Sequence, residues 1–171
     1  MTAVKKYFIF ILITFFFNNI SFSVTLSDSS TTTEELKAPL KMSDYNLAKK
    51  YIKKANKYDR KNKKEKAKKY YKKAAKYLLK SNKKYQTNAD TFNYLGYTNA
   101  KLGDFETAEI YFLLALEIKP NHKILNEYLG KLYLHTNRLG EAKERLKVLE
   151  SCNCDEFKKL NNAIKLGASK Y

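Results

Sequence analysis

From Ser43 onward, apolar side chains recur at the three- and four-residue intervals of an amphipathic helix. Tyr45, Ala48, Tyr51, Ile52, Ala55 and Tyr58 form one stripe, with Ser43 or Asp44 placed to cap it. Ala67, Tyr70, Tyr71, Ala74, Tyr77 and Leu78 form a second, on a helix whose remaining positions are nearly all Lys. Two amphipathic helices therefore lie back to back. The pattern before them differs. Residues 24–42, VTLSDSSTTTEELKAPLKM, are rich in Ser and Thr and carry no helical stripe, which predicts a flexible spacer. Residues 1–23 have Lys5 and Lys6, an apolar run from Tyr7 to Phe17, then Ser21 and Ser23, the layout of a secretory signal peptide cleaved after Ser23. The run falls short of the roughly 18–20 apolar residues that span a bilayer, so a retained anchor is the lesser reading. No Cys follows it to take a lipid. The expectation is an exported, periplasmic chain.

The segment 89–122, ADTFNYLGYTNAKLGDFETAEIYFLLALEIKPNH, resembles a tetratricopeptide repeat. Phe92 stands at the first aromatic position and Leu95-Gly96 at the central pair, with Ala108, Phe112, Ala115 and Pro120 following at the family's spacing. Small residues at Gly96 and Ala108 suit a close helix crossing, Phe92 and Phe112 fill the space between the helices, Gly103-Asp104 makes the turn, and Pro120 ends the second helix. Asn99 replaces the usual Tyr, which predicts a polar gap in the core.

Moving the frame on by 34 residues finds Leu129-Gly130, Tyr133, Ala142, Leu146 and Leu149, a repeat at 123–150 that has Asn126 at the aromatic position and lacks the closing Pro. Upstream, Tyr51, Ala55, Tyr58, Ala67, Tyr71 and Ala74 fit a degenerate repeat at 48–81 without Leu-Gly. Residues 155–168, with Phe157, Leu160, Ala163 or Ile164, and Leu166 at helical intervals, read as a cap helix covering the last apolar face. The resemblance thus implies an all-α domain over 43–168, a right-handed α-solenoid of about three helix-turn-helix repeats closed by that cap.

In this family the first helix of each pair lines a concave groove that binds peptides or partner proteins. The resemblance implies that Lys49, Ile52, Asn56 and Arg60 face it from the first repeat, and Asp90, Asn93, Tyr97 and Lys101 from the second. Ile124, Glu127, Lys131, Leu134 and His135 face it from the third. Some members grip a C-terminal carboxylate with Lys, Asn and Arg spread over three repeats. Here Asn56 matches that set, but Ile52, Tyr94, Ile124 and Tyr128 hold the other positions, so that clamp is absent.

Charge changes the picture on one side of the domain. Residues 41–84 hold 19 Lys or Arg against three acidic residues, whereas residues 85–171 hold 12 against 11. The excess is local, and Lys63, Lys64, Lys68, Lys69, Lys72, Lys73 and Lys76 form its densest patch. Such a face solvates a helix pair, or attracts an anionic surface, polysaccharide or acidic protein. Lys in place of Arg, together with export, disfavours nucleic acid as a partner.

Cys152-Asn153-Cys154 lies between the third repeat and the cap. In an extended turn the two Cα atoms stand roughly 6.6 Å apart, near the upper limit for a disulfide. A local or intermolecular disulfide, idle thiols and a metal site are the readings left open, the last without a third ligand near the pair. No Gly-rich phosphate loop, zinc-protease helix or serine-hydrolase elbow occurs, and His122 and His135 are each isolated in repeat surface. The chain is therefore expected to be a non-enzymatic scaffold that needs no cofactor, with an unidentified protein or peptide as its partner.

Overall fold

The structure, a computed structural model, describes residues 43–84 and 88–167. The expected signal segment, the spacer at 24–42 and the last residue of the expected cap lie outside the described residues. Seven α-helices follow one another among the described residues: α1 Asp44–Arg60, α2 Lys64–Lys84, α3 Ala89–Leu102, α4 Phe105–Ile118, α5 Lys123–His135, α6 Leu139–Leu149 and α7 Asp155–Leu166. They pack pairwise, α1 on α2, α3 on α4 and α5 on α6. Each pair stacks on the next, and α7 lies against α5 and α6.

The helix ends follow from local chemistry. Ser43 caps α1 by accepting the Asn46 N–H, Asn88 caps α3 by accepting from Asp90 and Thr91, and Asp104 caps α4 by accepting from Thr107. His122 caps α5, its Nδ1 accepting the Leu125 N–H at 3.3 Å. Asn62, Gly103 and Asn137, which turn each pair back on itself, all have left-handed backbones, with φ of 53°, 87° and 60°. They occupy the same position of the 34-residue frame, and they are residue types that adopt that conformation at least cost.

Packing is dictated by small residues at the crossings. Ala48 and Ala55 of α1 meet Ala67 and Ala74 of α2, all buried. In the second pair a Cβ built on Gly96 would lie 2.6 Å from the Phe112 ring, so only the bare backbone lets that ring sit between α3 and α4. The third pair solves the same problem from outside: the notch at Gly130 is filled by Leu160 of α7, whose methyl carbon lies 2.5 Å from a Cβ built there. Leu160 is fully buried.

The departures from the repeat pattern have local explanations. Asn99 leaves no open polar gap, because its Nδ2 donates to the Leu95 carbonyl one turn back at 2.9 Å. Asn126 is fully buried where an aromatic was expected. Its Nδ2 donates to the carbonyls of Pro120 and His122, so the side chain ties down the turn between the second and third pairs.

Candidate functional site

The open side of the stack is built by α1, α3 and α5, and its chemistry is arranged around Asn56. The Asn56 Oδ1 accepts from the Tyr71 hydroxyl at 2.6 Å and from the Tyr97 hydroxyl at 2.8 Å, joining α1 to both α2 and α3. From there an aromatic row crosses the stack: Tyr71 meets Tyr97 edge-on at 6.3 Å, and Tyr97 meets Tyr128 of α5 at 5.4 Å. Tyr45 and Tyr94 form a second edge-on pair at 5.9 Å. Between these rings lies a pocket of about 160 Å³ lined by Ile52, Asn56, Asn93, Tyr94, Tyr97, Ile124 and Tyr128. It adjoins a wider cavity of about 810 Å³ along α1, where Asn46, Lys49, Lys50, Lys53 and Arg60 surround Ile52 and Tyr94. The site therefore has an aromatic floor with a cationic lip at its α1 end. The Asn93 Oδ1 is buried without a hydrogen-bond partner among the described residues, as are the Asn82 Oδ1 and the Thr98 Oγ1.

Burial shapes the acidity of the row. The Tyr45 hydroxyl is pushed up to about 12 by burial, with Tyr94 and Asp90 adding to it. Tyr128 is likewise pushed up to about 12 by burial, and then by Tyr97 and Glu127. Tyr71 is raised chiefly by burial and next by Tyr97. A phenol whose folded pKa exceeds its unfolded value, about 10, contributes fully below pH 10 and loses that contribution as pH rises toward the folded pKa. Between about pH 10 and 12 the unfolded chain releases protons that the native row retains, so stability falls with each added unit of pH. Phenolate absorbance followed together with helicity should show part of the tyrosine signal appearing only as the helices melt; complete ionisation near pH 10 with helicity unchanged would mean that the row is open to water.

The residues expected to face the groove are distributed unevenly. Asn56, Asn93 and Tyr97 converge on the pocket and Arg60 stands on its lip. Asp90 is exposed and paired with Lys119 at 3.1 Å. Lys101 reaches across to Asp59 at 2.9 Å and locks α3 to α1. Glu127 is a correction: it is buried, only 4% exposed, and held by Lys131 one turn later, so neither is a free groove charge. Leu134 is half-buried in the core. The exposed His135 packs its ring on Phe105 at 4.3 Å, beside a separate depression that includes Lys64, Lys68 and Lys101. The basic patch does not converge on one point. Lys63, Lys64, Lys68, Lys69, Lys72, Lys73 and Lys76 are all exposed and spread around α2 and its leading turn. Cys152 and Cys154 form a disulfide with each other. No group of three or more potential metal ligands occurs among the described residues.

Sequence reasoning passed over Asn46, Lys50, Lys53 and Tyr45, which extend the groove toward the start of α1. Tyr45, Asn46 and Lys53 lie three or four residues from Lys49, and Lys50 lies four from Asn46 and three from Lys53, which was the available signal. Little weight fell on Tyr94, noted only as a residue that breaks a carboxylate clamp, although it lines the pocket; Ile124, expected to face the groove, lines it too. Also missed was the bidentate pair from Arg138 to Glu109. That pair ties the turn before α6 to α4, and the Arg138 guanidinium lies 4.4 Å over the Tyr133 ring.

Residues 89–122, the α3–α4 pair with its following turn, match the family model of the tetratricopeptide repeat. Among solved structures, the first TPR of Spaghetti (RPAP3) bound to the HSP90 peptide SRMEEVD is similar to this chain, with a TM-score of 0.51 and 22% identity over 72% of this chain and 96% of that one. At that identity the likeness is one of fold. No curated protein sequence matches the chain.

Proposed function

We propose that this protein is an exported, non-enzymatic adaptor that holds an extended peptide segment of a partner protein in the groove of α1, α3 and α5. The pocket at the meeting of α1, α3 and α5 carries the reading: an aromatic-walled recess that opens onto a wider channel along α1 has the shape to seat a side chain of an extended segment. The recess, walled by Tyr94, Tyr97, Ile124 and Tyr128, fits one apolar or aromatic anchor side chain. The lip of Lys49, Lys53 and Arg60 favours acidic residues next to that anchor. The structurally similar domain also holds an acidic peptide, but Ile52, Tyr94, Ile124 and Tyr128 give this groove no counterpart of a carboxylate clamp. An internal segment is therefore a better match than a chain terminus. Export is supported by the layout of residues 1–23 and by the Cys152–Cys154 disulfide, a bond that persists in oxidising compartments.

Selection from a displayed peptide library tests the reading. Winners should pair an aromatic or aliphatic anchor with nearby Asp or Glu. Tyr94→Ala combined with Ile124→Ala should weaken the best of them by at least about tenfold, the scale of a hot-spot loss, while far-UV circular dichroism stays unchanged. Peptides whose affinity ignores that double change would place the binding site elsewhere.

A further inference from the structure

The seam between α1 and α2 has an organisation of its own. On α1, Tyr51, Lys54 and Tyr58, with Lys61 just past the helix end, follow at alternating three- and four-residue steps, and on α2 Lys66, Tyr70, Lys73, Tyr77 and Lys80 do the same. The two rows interlock. Tyr58 stacks on Tyr70 at 5.4 Å, Tyr70 on Tyr51 at 6.1 Å and Tyr51 on Tyr77 at 5.5 Å, so one line of four rings runs along the seam. Ammonium groups lie over these rings: Lys54 over Tyr70 at 4.5 Å, Lys73 over Tyr51 and Tyr70, Lys66 over Tyr58 and Lys80 over Tyr77. Among the described residues no helix other than α1 and α3 packs substantially on α2, and the lysines flanking the seam, Lys54, Lys66, Lys73 and Lys80, are all exposed.

A solenoid end needs a polar face, but it does not need one of a single sign. The opposite end shows this, for α7 caps its side with Asp155 and Glu156 as well as Lys158, Lys159 and Lys165. On the α1–α2 end the acidic residues are Asp44, Asp59 and Glu65, and Asp59 is already paired with Lys101. Capping alone therefore leaves the uniform positive charge unexplained.

We propose that this tyrosine–lysine face docks the domain on the surface of an anionic lipid bilayer. Lys66, Lys73 and Lys80 recur every seven residues, roughly 10.5 Å apart along a helix roughly 30 Å long, an even array of mobile point charges suited to a field of headgroups. Tyr rings with polar tips are at home at the depth of those headgroups. A ligand that stacks, such as a nucleobase or a sugar ring, finds the aromatic faces taken up by one another and by ammonium groups. The Arg60 guanidinium, which would favour a discrete phosphate, is on the groove side.

Co-sedimentation of the full chain with vesicles tests the proposal, using 30% phosphatidylglycerol in phosphatidylcholine against phosphatidylcholine alone. Binding should need the anionic lipid and fall at least about tenfold between 50 and 200 mM salt. The triple variant Lys66→Glu, Lys73→Glu, Lys80→Glu should lose at least about a further tenfold, and the same positions changed to Arg should retain binding. Lys143→Glu, Lys147→Glu, Lys165→Glu, of equal charge change on the other half of the domain, should leave binding near wild type. Equal loss in both Glu triples would reduce the effect to net charge and overturn the assignment of the face. Equal binding to neutral vesicles would overturn the dependence on charge. Release by dextran sulfate at matched charge would identify a linear polyanion in place of the bilayer. Helicity measured on each variant identifies any loss caused by unfolding, and the Arg triple decides the matter if a Glu triple unfolds.

Discussion

Phe112→Ala is expected to lower the unfolding free energy by about 3–5 kcal/mol, most of what a domain of this size has to spare. Phe112 is fully buried on α4, its ring lies in the notch opened by Gly96 on α3, and it meets Tyr128 of α5 at 6.1 Å. One side chain therefore joins three consecutive helices, and removing it leaves a cavity that none of the three can close without tilting. Urea denaturation followed by circular dichroism measures the loss. A double-mutant cycle isolates the cause. Gly96→Ala alone drives a methyl into the ring and should cost about 1–3 kcal/mol, whereas on a Phe112→Leu background part of that cost should disappear. Additive costs would mean that the ring moves aside freely and that the notch is not what holds α3 to α4.

Leu160→Asp is expected to release α7 altogether. The substitution puts a carboxylate against the backbone at Gly130, where Leu160 is completely buried and no cation is paired with it, at a cost of several kcal/mol. The Cys152–Cys154 disulfide spans one intervening residue and so does not tether the released helix to α6. Because each pair rests only on its neighbours, the damage should stay at that end. Hydrogen exchange should show α7 amides unprotected, α5 and α6 weakened, and α1 and α2 as before. Uniform loss of protection through all seven helices would show that the stack unfolds as a single unit.

The middle repeat was the most legible part of the fold, and for a physical reason. Phe92, Leu95, Gly96, Ala108, Phe112 and Ala115 are all buried, because their spacing along the chain is also the spacing of one helix face against another. Asn126 and Glu127 were not legible in that way. Each is buried, and what makes burial tolerable is a partner set by folded geometry: turn carbonyls for one, Lys131 for the other. The groove was half legible. Which helix lines it followed from the frame, but the junction at Asn56 joins residues 15 and 41 positions apart, and such a meeting depends on how the pairs are stacked. The four tyrosines of the seam were visible as positions on two helical stripes, but periodicity on one helix does not show that its rings interlock with those of the other.

The two ends of the stack also bear on how such an array can change over generations. Tandem repeats lengthen when a unit is copied and the copy docks where the original ended. At the front, Lys54 occupies the frame position of Leu95 and Leu129, both fully buried, so a copy docked there would have to bury an ammonium group. At the back, Leu160 already fills the notch at Gly130, and a newcomer would first have to displace α7. Duplication can therefore be accommodated only by insertion between existing pairs, which would carry the ring line and the cap outward unchanged while the groove between them grew longer.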